Sequence, residues 1–101
     1  MKKEQLERIA RMEAVTDQAR QAVDALQAAL DAYTAVQADL KELETYYTGP
    51  AWKEDFRAAE EGKLPAGMKH GVLAEDTVYD LLADRDELHR QLRMINDEED
   101  G

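Results

Sequence analysis

Asp86 and His89 stand three residues apart in a stretch of helical periodicity, a spacing that sets a carboxylate and an imidazole on one face where they could share a metal ion. Metal sites in helical bundles need several inward ligands from different helices, usually Glu-x-x-His twice, and only one approximate copy occurs. No metal is expected. Asp17, Asp24 and Asp31, seven apart, draw an acidic line with Arg20 close by, which reads as a solvated flank. The run GKLPAGMKHG, with Lys63, Lys69 and His70, has glycines and cations suited to phosphate. It lacks Walker spacing and follows no strand, so it reads as an exposed connecting loop.

No nucleophile-elbow, dinucleotide or metal-hydrolase motif is present, and the absence of Cys removes thiolate chemistry and disulfides together. A non-enzymatic protein without cofactor is expected. The remaining conspicuous side chains are aromatic. TYYTGPAWKEDF brings Tyr46, Tyr47, Trp52 and Phe56 into a chain whose other aromatics are Tyr33 and Tyr79. Such a group is either an exposed hot spot for a partner or a junction where helices meet, and the second is expected, with Tyr79 from the first turns of the last helix joining Tyr46, Tyr47, Trp52 and Phe56.

The elements around it follow from composition and rhythm. With 101 residues, 44% hydrophobic and 36% charged, 5 Gly and 2 Pro, the chain has the helix-forming vocabulary of an all-α protein. Met12, Thr16, Ala19, Val23, Leu26, Leu30 and Tyr33 alternate spacings of four and three, and Leu6 and Ile9 extend the stripe backward. Beyond Tyr33 the apolar residues move one place earlier, to Val36 and Leu43, a drift that suits a nearly straight helix of period 3.6. Without Gly or Pro from Lys2 to Tyr47, one helix of roughly 65 Å is expected. A weak local cap marks Thr16 as the place for any bend.

Gly49 is suited to a left-handed C-cap, and Pro50 to the first turn of a short helix that Gly62 closes. After the Gly/Pro loop, Val78, Leu81, Leu88, Leu92 and Ile95 set the rhythm of a last helix, with Arg85 in one stripe position and Glu75 and Asp76 in its first turn. The expected fold is a helical hairpin or small bundle, the last helix returning antiparallel, in one domain over residues 1–96 with an acidic disordered tail at 97–101. The last helix, roughly 30 Å long, covers about half of the first. Leu6, Ile9, Met12 and Val15 are then left without an intramolecular partner and form the expected interaction surface, for a homodimer or a helical protein partner.

Net charge is −10, and from Ala74 to Gly101 there are 10 acidic residues against 3 basic ones. That surface argues against direct nucleic-acid binding and against an acidic membrane. It also supports an alternative expectation, an acidic decoy that imitates a phosphate row and binds a basic protein. No apolar run approaches the ~20 residues of a membrane span, and MKKEQLERIA has no signal-peptide core, so a cytoplasmic location is expected.

Tyr46-Tyr47, Trp52 to Asp55, Gly62-Lys63-Leu64-Pro65, Gly71 to Asp76 and Tyr79-Asp80-Leu81-Leu82 together resemble the pattern of a bacterial family of short proteins, domain of unknown function 4298. The resemblance covers most of the chain, its specific part being Tyr46 to Leu82. Members often carry Ser where Ala74 stands, so this chain forgoes a helix N-cap there. The resemblance implies kinship and no particular activity.

Overall fold

The computed structural model describes residues 1–100, all but the side chain of Asp100, and among them the fold is all-α with no strand. Four helices follow in order: α1 (Lys3–Ala35), α2 (Gln37–Thr48), α3 (Pro50–Glu60) and α4 (Thr77–Asp100), with a short 3₁₀ turn at Gly71–Leu73. The chain divides into two compact units, Met1–Asp39 and Leu40–Gly101.

In the first unit, α1 is a 33-residue helix with no buried residue. Thr16 does not bend it: the hydroxyl donates to the Met12 carbonyl at 2.8 Å within unbroken helix. The expected single helix to Tyr47 is instead interrupted at Val36, whose φ is −99° and ψ 3°. There the Val36 N–H bonds the Tyr33 carbonyl, a tighter i to i−3 link, and the Gln37 side-chain amide donates to the same oxygen. One tight turn advances the phase of the apolar stripe. The step from Gln37 back to Val36 in the sequence rhythm is therefore a local discontinuity, not the gradual drift of a straight helix.

In the second unit, α2 ends at Gly49, which is extended at φ −102° and caps the start of α3 rather than taking a left-handed conformation. Its smallness is needed for another reason. A Cβ at position 49 would lie 3.0 Å from the Thr45 carbonyl oxygen, a backbone atom with little room to yield. Gly49→Ala should therefore cost about 1–2 kcal/mol of stability, as overpacking does, measurable as a lower urea midpoint with an unchanged slope.

Pro50 supplies the first turn of α3, and Gly62 closes it with φ +71°. The Gly62 and Lys63 N–H groups bond the carbonyls of Ala59 and Ala58, the two reverse bonds of a Schellman cap. The loop then places Leu64 half-buried and turns at Gly67, φ +81°. Leu73, in the 3₁₀ turn, and Val78, at the start of α4, are the buried hydrophobics among the described residues, at 8% and 2% exposure. They centre a core completed by half-buried Leu43, Tyr46, Tyr47, Trp52, Phe56 and Leu82.

α4 begins at Thr77, so Glu75 and Asp76 precede it instead of forming its first turn; the Asp76 carbonyl accepts the Asp80 N–H at 2.8 Å. It runs antiparallel to α2: Tyr47, near the end of α2, meets Glu75, while Glu44, one turn earlier, meets Arg85. At its other end the helix continues through Asp97–Asp100, which had been expected as a disordered tail, since neither Gly nor Pro interrupts it before Gly101. Gly101 itself lies outside the described residues.

Candidate functional site

The aromatic junction is built at the corner where α2 gives way to α3. Tyr46 and Tyr47 occupy the last turn of α2, while Trp52 and Phe56, four apart, share a face of α3. The Trp52 and Phe56 rings stack with centroids 5.2 Å apart at 17°, and Tyr47 meets Trp52 edge-on at 5.2 Å and 77°. Each polar end finds a partner on a different segment. The Trp52 Nε1–H donates to the Val72 carbonyl at 2.9 Å, the Tyr47 hydroxyl to the Glu75 carbonyl at 3.4 Å, and the Tyr46 hydroxyl to Asp55 Oδ2 at 2.7 Å. These bonds pin the approach to α4 against α2 and α3.

Tyr79 does not join it. Its side chain is 64% exposed, because Val78 takes the inward direction and the next residue on a helix points about 100° away. Tyr79 instead borders a shallow open pocket with Glu44, Tyr47, Leu82 and Arg85.

Desolvation, then the hydrogen bond and charge of Asp55, push the Tyr46 phenol from 10.0 up to about 12. The fold thus favours the neutral phenol. Its contribution to stability is complete below pH 10 and is lost as pH rises from 10 through about 12. Ultraviolet titration should show one tyrosinate forming late. In Asp55→Asn that titration should move only part of the way back toward 10, because desolvation is the larger cause.

Arg85, the cation in the apolar stripe of α4, is accounted for by α2. Its guanidinium bonds Glu44 Oε2 and Asp86 Oδ1, and its side chain is 19% exposed. The hydrogen bond to Glu44, then that to Asp86, raise its pKa still further. Sequence reasoning noted the cation but not its partner, forty-one residues away. Asp86 is thereby engaged by Arg85, and no group of three or more His, Asp or Glu that could hold a metal ion occurs among the described residues.

Lys63 pairs with Glu61 at 2.6 Å and His70 lies exposed in the loop. An open groove of about 540 Å³ runs beside that loop, with Phe56, Met68 and Leu73 among its apolar lining and Glu60, His70 and Glu75 among its polar lining. On α1, Leu6, Ile9 and Met12 are 53%, 46% and 51% exposed, whereas Val15 is half-buried. The acidic line there is solvated, with Asp24 taken by Arg20 at 3.3 Å and Asp31 by Gln27 at 2.9 Å. No helix among the described residues is long and apolar enough to cross a membrane.

The second unit is thus a small helical fold fastened at an aromatic corner. The chain belongs to the family described as a domain of unknown function (DUF4298), whose model matches residues 9–95 and so includes every member of the junction. Among curated proteins and solved structures, nothing matches it.

Proposed function

We propose that this protein is a non-enzymatic protein-protein interaction or self-assembly module whose working surface is the apolar stripe of α1. The observation that carries the reading is that α1 buries none of its 33 residues, while Leu6, Ile9, Met12, Val23, Leu26 and Leu30 are 46–61% exposed along it. A lone helix in water is held by little more than its own propensity, and an apolar stripe of this length gains from being covered by another helix. Light scattering across a concentration series, with Leu26→Glu beside the parent protein, tests it. Association that weakens at least tenfold in the variant is the expected result. A concentration-independent monomer whose α1 amides are nonetheless strongly protected from exchange would sink the reading.

A second reading draws support from α4. Two of the arginines that interrupt its acidic surface are neutralised, Arg85 by Glu44 and Asp86, and Arg90 by Glu87. An acidic decoy for a basic protein would use that helix. Its complex should dissociate steeply between low and high salt, and binding unchanged by salt excludes it.

A further inference from the structure

The apolar rhythm of α1 reads alike in both directions. Ile9, Met12, Thr16 and Ala19 lead to Val23, Leu26, Leu30 and Tyr33 at spacings of 3, 4, 3, 4, 3, 4 and 3 residues, a heptad seam carried on one unbroken helix. Turned end for end on a second copy, the series registers layer by layer: Ala19 comes opposite Val23, Thr16 opposite Leu26, Met12 opposite Leu30 and Ile9 opposite Tyr33. The two smallest residues each meet a bulkier one. In the same direction Thr16 would meet Thr16 and Ala19 meet Ala19, two thin layers in succession that leave unfilled space. Thr16 is ready for an apolar neighbour, because its hydroxyl already donates to the Met12 carbonyl at 2.8 Å.

The flanks of the seam favour the same direction. Val15, Ala22 and Ala29, seven apart, make one side small and apolar, and Glu13, Arg20 and Gln27 make the other polar. A two-fold antiparallel pair sets each flank against itself, so the apolar side widens the seam. The two Arg20 side chains that approach on the polar side are each held by their own Asp24 at 3.3 Å. A parallel pair sets Val15 and Ala22 against Arg20 and Gln27, and gains only the exposed pair of Arg8 with Glu13, worth under about 1 kcal/mol. Charge at the helix ends agrees. Residues 2–11 hold four cations against two carboxylates, whereas residues 40–101, which follow α1 as the second unit, hold 16 acidic residues against 8 basic ones. Antiparallel pairing brings each basic amino terminus to the end where the partner's acidic unit begins; parallel pairing gathers both acidic units at one end.

We propose that α1 of one copy pairs with α1 of a second copy, antiparallel about a two-fold axis near Gln21. This rests on the interaction reading above and names its partner, its direction and its register. Covering the eight seam and three apolar flank side chains of each copy, at roughly 60 Å² apiece, buries about 1,300 Å² in all, inside the ~1,200–2,000 Å² of stable interfaces.

The chain has no Cys, so introduced thiols report the direction of pairing. Under mild oxidation, Met12→Cys mixed with Leu30→Cys should cross-link as the heterodimer about tenfold faster than either variant links to itself. Spin labels carried by Ala14→Cys or Gln21→Cys, both exposed and on the outward side of α1, check this without touching the seam. The label-to-label distance should be several ångströms longer at 14 than at 21, because the two copies of residue 14 lie about 21 Å apart along the pair at 1.5 Å per residue. Preferential self-linking of Met12→Cys, equal distances at 14 and 21, no cross-link in a dimeric protein, or a monomeric parent would each overturn the proposal. A monomeric parent that still binds an apolar helical partner, and loses it with Leu26→Glu, overturns the self-pairing alone and leaves the interaction reading standing. A dimer that Leu26→Glu does not weaken removes both.

Discussion

Trp52→Ala is expected to destabilise the second unit by about 2–4 kcal/mol, somewhat below the cost in a fully enclosed core because Trp52 is half-buried. Three contacts disappear at once: the stack on Phe56, the edge contact with Tyr47 and the hydrogen bond to the Val72 carbonyl. Trp52→Phe separates them. It keeps an aromatic ring and loses the donor, so it should cost about 1–2 kcal/mol, the usual net value of a hydrogen bond with a small volume change. Urea unfolding followed by far-UV circular dichroism measures both. A loss under about 0.5 kcal/mol for Trp52→Ala would mean that the junction does not hold the unit together, and the ring would have to be reconsidered as an exposed contact for a partner.

The second large effect is expected at Val78, the most enclosed side chain described, at 2% exposure. Val78→Ala removes two methyl-sized groups and should cost about 2 kcal/mol. Val78→Asp places a carboxylate at a position whose side chain is 2% exposed. The penalty of several kcal/mol is comparable with the whole stability of a unit this small, so the variant should lack a cooperative unfolding transition. If Val78→Asp instead melts as the parent does, the start of α4 is not the centre of the core.

Much of this arrangement is legible from residue order. Pro50 and Gly62 bracket α3 because their backbone demands are local, and a glycine-closed helix signals itself without tertiary information. The meeting of Tyr46, Tyr47, Trp52 and Phe56 follows from the short Gly49-Pro50 turn between them. Four features are less legible. Val36 carries no Gly or Pro signal, and its single tight turn differs from a drifting helical period only in where the phase steps. Leu73 becomes core through a three-residue turn too short to show periodicity. Tyr79 looks like a junction member by type and proximity in sequence, yet its neighbour Val78 claims the inward direction. The Glu44 partner of Arg85 is a matter of which helices lie side by side, which a single sequence does not encode locally.

The same reasoning explains why the proposed interaction surface is on α1 and is not the aromatic corner. Tyrosine and tryptophan suggest recognition by type, but here their polar ends are spent on Val72, Glu75 and Asp55 within the unit. The plain aliphatic residues of α1 remain available. Residue identity alone favours the corner as the binding site; exposure favours the stripe.

The fastenings of the second unit have a kinetic consequence. Tyr46 reaches nine residues forward to Asp55, Trp52 twenty to Val72, and Tyr47 twenty-eight to Glu75. The 52–72 loop lies inside the 47–75 one and the 46–55 loop overlaps both, so each tether shortens the search left to the next and the chain entropy of assembly is surrendered in instalments. Helical folds of such low contact order reach the native state in microseconds to milliseconds. A cell making this protein would therefore hold the corner assembled almost as soon as α4 leaves the ribosome.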